Sequence, residues 1–333
     1  MKKVLSLILA LAMVFALVAC GEKQPSNDGN TDGDKPPRGN VIMTFGTADT
    51  GGSMYPAGAA VSQVWTNNVE GVKCNTQTST GSFQNCQDVS TGEVDVAVAT
   101  SDVVLNAYNG TGKFADIGKL DNLRVIGAVY TSVLSGVALK SSGLTYIHDL
   151  LGKRVAVGPA ASATENATLA AFGVMGIDSS NTSLENLGLG DGADSVGDGI
   201  LDAAFGFAGL PIGGQLNLAA TKEIQVLDMT QEEIDKVLAG NAAYIQTTIP
   251  AGTYTGQTET ANTFGVKCLI IVTADMDADL VYDLCKAMNE HTEEMAAGNA
   301  LLKDMTDPSF LCTQMPIPLH DGAQKYYSEQ GLI

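Results

Sequence analysis

Glycines and hydroxyls, not histidines or arginines, mark where this chain can do chemistry. The first cluster is Gly46-Thr47-Ala48-Asp49-Thr50-Gly51-Gly52-Ser53-Met54-Tyr55-Pro56, between the apolar run Val41 to Phe45 and a stretch of helical spacing. Its glycines permit close backbone approach, and Thr50 and Ser53 add hydroxyls. A helix starting there presents unpaired N–H groups and the positive end of its dipole. That is chemistry for an anionic oxygen.

The theme repeats along the chain. Ser79-Thr80-Gly81-Ser82 precedes a helical stretch containing Asn85, and Thr100-Ser101-Asp102 follows a buried strand. Gly158-Pro159-Ala160-Ala161-Ser162-Ala163-Thr164-Glu165 and Phe207-Ala208-Gly209-Leu210-Pro211 are the fourth and fifth such turns. Each alone also reads as a capped turn, and Ser162 with Glu165 has capping-box spacing. Their recurrence at strand-to-helix junctions carries the binding reading, because open α/β sheets bind ligands beyond the carboxyl ends of their strands.

Other chemistries find no support. The first cluster lacks the Gly-Lys-Ser/Thr of a P-loop and the Gly-x-Gly-x-x-Gly of a dinucleotide fold. His148, His291 and His320 are far apart, with no zincin, nucleophile-elbow or kinase pattern, so no catalytic residue is assigned. Asp191-Gly192-Ala193-Asp194 and Asp275-Met276-Asp277-Ala278-Asp279 lack an EF-hand pattern, so neither metal nor cofactor is expected. Cys74, Cys86, Cys268, Cys285 and Cys312 show no Cys-x-x-Cys spacing, and Cys268 reads as a core residue. Arginine occurs only at 38, 124 and 154, in a polar tether and at two strand starts. An anionic ligand is therefore held by helix N-termini and the hydroxyls of Ser53, Ser79, Ser82, Ser101 and Ser162, not by a guanidinium clamp.

The elements that must position these turns follow from composition and periodicity. The chain has 333 residues, a formal net charge of −19, 45% hydrophobic and 17% charged residues. Such a balance fits about two globular domains and disfavours a nucleic-acid partner, which needs a basic face. Strands are expected at 41–45, 72–77, 94–99, 123–130, 133–139, 154–158, 183–187, 203–207, 224–227, 244–249 and 266–272. Helices are expected at 55–69, 82–90, 102–108, 164–172, 193–199, 231–238 and 278–297. This alternation indicates an α/β fold with largely parallel, buried sheets.

The N-terminus reads as an address. Lys2 and Lys3 precede the apolar run Val4 to Ala19, and Leu17-Val18-Ala19-Cys20-Gly21 resembles a bacterial lipobox. Residues 1–19 are then a lipoprotein signal, Cys20 the lipidated residue, and 20–40 a tether without large apolar side chains. A plain signal peptide or an anchor helix is the alternative. The expected location is the outer face of the bacterial cytoplasmic membrane, anchored to the bilayer through Cys20.

Several motifs in order are similar to the TAXI family of TRAP-transporter solute receptors over residues 41–331. They are Thr50-Gly51-Gly52-Ser53-Met54-Tyr55-Pro56, Ser79-Thr80-Gly81-Ser82-Phe83-Gln84-Asn85, Ser101-Asp102-Val103 and Ala107-Tyr108-Asn109-Gly110-Thr111-Gly112. Further on come Leu151-Gly152-Lys153-Arg154-Val155, Ile249-Pro250-Ala251-Gly252-Thr253-Tyr254, Pro316-Ile317-Pro318-Leu319-His320 and Lys325-Tyr326-Tyr327. The resemblance implies a two-lobed periplasmic-binding fold of type II, each lobe a mixed or parallel sheet flanked by helices. Lobe one would be 41–130 plus 250–333, and lobe two 131–249. It implies a monomeric receptor that captures a glutamate-like amino acid or small carboxylate and hands it to TRAP permease subunits driven by an ion gradient. The expected ligand contacts are Gly46, Thr47, Thr50, Gly51, Gly52, Ser53 and Tyr55 in the first turn, with Tyr55 covering the ligand. Ser79, Thr80, Gly81, Ser82, Ser101 and Asp102 follow, then Pro159, Ser162, Thr164, Glu165, Phe207, Ala208 and Gly209 as the lobes close. Met54 and Phe207 stand where the family carries Tyr and Thr, which points to a ligand less polar than glutamate. A lipid-anchored enzyme on this fold, or a surface sensor or adhesin, is the alternative reading.

Overall fold

The computed structural model describes residues 39–333; the leader, Cys20 and residues 21–38 of the tether lie outside the described residues. From Val41 the chain runs β1 (Val41–Gly46), α1 (Met54–Asn68), β2 (Val72–Gln77), α2 (Ser82–Thr91), β3 (Val96–Thr100) and α3 (Ser101–Asn109). The long strand β4 (Leu123–Leu139) follows, then β5 (Arg154–Ala156), α4 (Ala163–Val174), β6 (Ser183–Glu185), α5 (Leu189–Gly197) and β7 (Ala203–Ala208). Next come α6 (Gly213–Thr221), β8 (Ile224–Val226), α7 (Gln231–Gly240), β9 (Ile245–Ile249) and a second long strand, β10 (Ala261–Thr273). The chain closes with α8 (Ala278–Glu290), α9 (Thr292–Gly298), α10 (Pro308–Cys312) and α11 (Asp321–Glu329).

All ten strands belong to one sheet, with the main order β2-β1-β3-β10-β4-β7-β5-β6. β4 and β10 pair antiparallel from Gly265 opposite Val133 to Thr273 opposite Leu123. Each serves both ends of the sheet. Cys268 to Ile271 of β10 take β3 at one end, while Ala261 to Gly265 take β9 at the other. Residues 133–139 of β4 carry β7 and β8. The fold is therefore α/β as expected, and the sheet is mixed, as the family resemblance allowed, instead of largely parallel, as the alternation of elements alone indicated. Parallel pairing is confined to β1 with β2 and β3, and β5 with β6 and β7. The antiparallel joins come from the two long strands, whose apolar runs carry no signal of direction.

Three further expectations are corrected. The runs 123–130 and 133–139 are one strand: Ser132 is fully buried and pairs with Val266, so the polar interruption Thr131-Ser132 does not end it. The helix expected at 278–297 is interrupted at His291, whose backbone leaves helical geometry (φ −115, ψ 19). The redirected α9 lets Met295 join the apolar cluster that holds Leu284, Met288, Leu302 and Met305. Helix α5 begins at Leu189, ahead of the expected 193, because Gly192 lets it lie against the sheet: a methyl there would meet Ala156 Cβ at 3.0 Å. Helices α6, α10 and α11 carried too little apolar periodicity to be read from sequence.

The core follows the sheet. Trp65 of α1, the sole tryptophan, is fully buried, stacks on Phe45 at 5.5 Å between centroids and donates to the Leu284 carbonyl at 3.0 Å. At the other end Phe207, Tyr244 and Phe264 form an aromatic cluster. Cys74, Cys86, Cys268, Cys285 and Cys312 are buried free thiols; Cys268 is fully buried in the core as expected, and that burial pushes its thiol up to about 12. Among the described residues no helix is long and apolar enough to cross a membrane.

Candidate functional site

The first two turns are built on a buried amide. Asn85 of α2 donates through Nδ2 to the Thr47 and Val98 carbonyls at 2.6 Å each, and its Oδ1 accepts the Ser79 hydroxyl at 2.7 Å. Thr47, fully buried, donates its N–H and hydroxyl to the Gln77 carbonyl at 2.9 and 2.7 Å. A methyl on Gly46 would lie 3.2 Å from Ala97 Cβ and from Asn85 Oδ1. Gly46, Thr47 and Ser79 thus form the support behind the site. Their polar groups are spent on holding the end of β1 against the start of α2.

In front of this support four of the five turns meet. A cavity of about 40 Å³ is lined by Asp49, Gly52, Ser53 and Met54 from the first turn, and by Thr80, Gly81 and Ser82 from the second. Pro159, Ser162 and Thr164 of the fourth turn and Phe207 and Ala208 of the fifth complete the opposite wall, with Leu189 and Tyr130. The halves touch directly. Ser53 Oγ donates to the Gly209 carbonyl at 2.9 Å, and a methyl on Gly81 would sit 3.6 Å from Ser162 Cβ. Gly81 has φ +116, a region only glycine adopts readily, and this places the start of α2 at the cavity. Outside the Ser53 contact lies an open groove of about 460 Å³, which takes Thr50 and Gly51 on one side and Pro211, Gly213 and Asn217 on the other.

The fourth turn is shaped by its own caps. Ser162 Oγ accepts the Glu165 N–H at 3.1 Å, and Glu165 Oε2 reaches the Ala161 N–H at 2.8 Å, one residue ahead of the capping-box donor. Ala161 holds φ +58, an uncommon conformation for a side-chain-bearing residue. Glu165 also takes Lys113 Nζ and, at 3.1 Å, Asn186 Nδ2. Burial raises its carboxyl, but Lys113 and the Ala161 N–H outweigh this and hold it below the usual carboxylate range. Thr164 Oγ1 accepts the Phe207 N–H at 3.1 Å, which ties the fourth turn to the fifth.

Besides Gly46, Thr47 and Ser79 in the support and Thr50 and Gly51 in the outer groove, the expected contacts Tyr55, Ser101, Asp102, Glu165 and Gly209 are not among the cavity-lining residues. Tyr55 is not among the lining residues; Met54 occupies that wall. Ser101 and Asp102 start α3 away from the cavity. Asp102 is fully buried; its Oδ2 accepts Asn166 Nδ2 at 2.8 Å and the Tyr244 hydroxyl at 3.1 Å, while Oδ1 has no partner among the described residues. Burial raises its pKa, with the hydrogen bonds from Thr100, Val103, Tyr244 and Asn166 opposing. Among the described residues neither arginine lines the cavity; Arg154 pairs with Asp202 at 2.9 Å and Arg124 donates to the Asp121 and Leu123 carbonyls. His320 caps α11 by accepting the Gly322 N–H at 3.2 Å. Among the described residues no group of three His, Cys, Asp or Glu side chains is placed to hold a metal.

Sequence reasoning missed Tyr130 and Leu189. Tyr130 is 1% exposed, lies in the middle of β4 and has a hydroxyl without a hydrogen-bond partner among the described residues; burial pushes its pKa well up. Its only signal was its place beside the Thr131-Ser132 interruption.

Residues 45–331 match the family model described as NMT1-like, and the chain belongs to the NMT1-like family. PhnD1 from Prochlorococcus marinus, solved in complex with methylphosphonate, superposes with a TM-score of 0.53 at 11% identity, over 88% of this chain and 99% of that one. The alkanesulfonate-binding protein SsuA from Xanthomonas axonopodis pv. citri, bound to MOPS, matches with a TM-score of 0.49 at 14% identity, over 87% and 84%. An ABC uptake transporter substrate-binding protein from Streptococcus pneumoniae, with bound histidine, matches at 0.48 and 12%, over 78% and 94%. At such identities the likeness is one of fold: the α/β fold is that of the periplasmic binding proteins.

Proposed function

We propose that this chain is the extracytoplasmic solute receptor of a TRAP-type transporter of the TAXI kind, and not an enzyme. It is tethered by an acylated Cys20 and works as a monomer. It captures a small anionic or zwitterionic solute between lobe one (41–130 plus 250–333) and lobe two (131–249), then delivers it to permease subunits driven by an ion gradient. The observation that carries the reading is a cavity where turns from both ends of the sheet converge on hydroxyls and helix starts. Ser82 and Ser162 bring the first turns of α2 and α4 to it, the arrangement suited to a carboxylate without a guanidinium.

The small size of the cavity fits a receptor that opens to load. About 40 Å³ admits a few water-sized groups, well below the ~300 Å³ at which ligand sites begin, so a solute enters by parting the lobes. The two long strands β4 and β10, shared by both ends of the sheet, are the natural place for that hinge motion.

Mass spectrometry of small molecules released by denaturing the purified protein identifies the solute. Adding that solute back is expected to raise the melting temperature, since a hundredfold excess over Kd stabilises by about 2.7 kcal/mol. Scattering is expected to report lobe closure. No released molecule and no thermal shift across a metabolite panel would reject the receptor reading, and turnover of the solute would favour the enzyme.

A further inference from the structure

Most buried polar side chains of this fold are spent on their neighbours, but one on the cavity wall is not. Tyr130 lines the cavity and is 1% exposed, and its hydroxyl makes no hydrogen bond within the described residues. An unpaired buried hydroxyl is costly, and native chains keep few of them. Burial, reinforced by Cys268 and opposed by Ser132, raises the Tyr130 pKa, so the hydroxyl keeps its proton. It is a donor in want of an acceptor.

The sheet directs this donor to the site. Among the lining residues only Tyr130 comes from β4 or β10, the strands that both ends of the sheet share. One register row runs from Thr100 of β3 through Cys268 of β10 to Tyr130, and the Thr100 N–H donates to Ser82 Oγ at 3.1 Å. That row fixes Tyr130 relative to the start of α2. The Tyr130 ring also lies beside the fifth turn, since a methyl on Gly209 would fall 3.1 Å from its Cδ2. Tyr130 thus stands between a helix start of one half and the Gly209 turn of the other.

We infer that Tyr130 is a specificity-determining residue of the cavity, donating a hydrogen bond to an acceptor oxygen of the captured solute. The inference rests on the solute-receptor reading above and adds to it a contact from the middle of the sheet. A solute with a methyl or methylene at that point leaves the hydroxyl unpaired and is bound more weakly. Ser132 supplies an internal control: it lies two positions further along β4, is fully buried and equally without a partner, but does not line the cavity. The rival reading is that a buried water serves both hydroxyls, which predicts unchanged affinity on removing either.

The test compares the native protein with Tyr130→Phe and Ser132→Ala. L-Glutamate, succinate and pyruvate are titrated into each by calorimetry, and the solute carried through purification is quantified by mass spectrometry after denaturation. Tyr130→Phe is expected to weaken binding of the probe the native protein takes by about tenfold or more, and to retain correspondingly less of the carried solute. Ser132→Ala is expected to match the native protein in both measurements. Neither variant is expected to lower the melting temperature of the ligand-free protein, because each removes a hydroxyl without a partner. Unchanged binding by Tyr130→Phe, equal weakening in both variants, or a fall in the ligand-free melting temperature of Tyr130→Phe overturns the inference. When the native protein binds and Tyr130→Phe binds equally well, the receptor stands and only this contact is lost. A native protein that binds no probe and carries no solute removes both.

Discussion

The Ser53 hydroxyl donates a buried 2.9 Å hydrogen bond to the Gly209 carbonyl, joining turns 156 positions apart in sequence. One partner begins α1, and the other ends the β7 turn. The bond lies where the cavity and the outer groove meet, both lined by Gly52 and Ser53.

Ser53→Ala is therefore expected to weaken ligand binding more than it weakens folding. It leaves the Gly209 carbonyl unpaired in the closed form, a cost of about 1–3 kcal/mol that the open form avoids by hydration. Calorimetry with the recovered solute is expected to show a loss of tenfold or more in affinity, with the melting temperature of the free protein nearly unchanged. Unaltered affinity would remove Ser53 from the closing contact.

Gly209→Ala is expected to impair the same contact sterically. The added methyl would fall 1.7 Å from Leu301 Cδ1 and 3.1 Å from Tyr130 Cδ2, so Leu301 must rotate away. Overpacking of this kind costs about 1–3 kcal/mol. The double variant Gly209→Ala with Leu301→Ala is expected to recover part of the loss in urea unfolding, read as a double-mutant cycle. Strict additivity would show that the two residues do not meet.

Asp102 is expected to make stability fall as pH rises. Burial raises its pKa in the folded chain, so the folded state holds its proton more tightly than the unfolded state does. Its contribution is complete below the ordinary carboxylate range, near pH 4, and is lost as pH climbs through the raised folded value. Glu165, with its pKa lowered, acts in the opposite sense, contributing above the ordinary range and losing that contribution as pH falls. The difference between the native and Asp102→Asn unfolding curves isolates the Asp102 term. That difference is expected to shift in favour of Asp102→Asn with increasing pH, and a pH-independent difference would contradict the burial argument.

Cys20→Ala is expected to move the chain from the membrane fraction to the soluble one, since two acyl chains anchor stably where one binds only marginally. Detergent phase partition reads this directly. An unchanged membrane fraction would favour an uncleaved apolar segment as the anchor.

Much of this architecture was legible in the residues. The strand-to-helix turns at 46–56, 79–82, 158–165 and 207–211 announced themselves because glycine backbone freedom and hydroxyl capping are local properties. For α1 to α3 the apolar spacing placed the elements within a residue or two of where they lie. Where sequence reasoning failed, a distant partner had overridden a local signal. Thr131-Ser132 reads as a strand break, yet Thr131 donates to Asp304 Oδ2 at 2.9 Å and Ser132 is buried opposite Val266, so β4 passes straight through. That continuity delivers Tyr130 to the cavity.

The sequence by itself determined which turns are equipped to meet a small charged solute and that no arginine is placed to do so. Only the tertiary structure decided which of them converge. Ser53, Ser82 and Ser162 reach one cavity, Thr47 and Ser79 are consumed in its support, and Asp102 is drawn to Asn166 and Tyr244 instead. The physical reason is that a hydroxyl or carboxylate carries the same capacity in every turn, and whether it meets a ligand or a neighbour depends on partners from about 30 to 142 positions away. Two antiparallel strands set those partners, and nothing in their apolar stretches specifies which edges they will join.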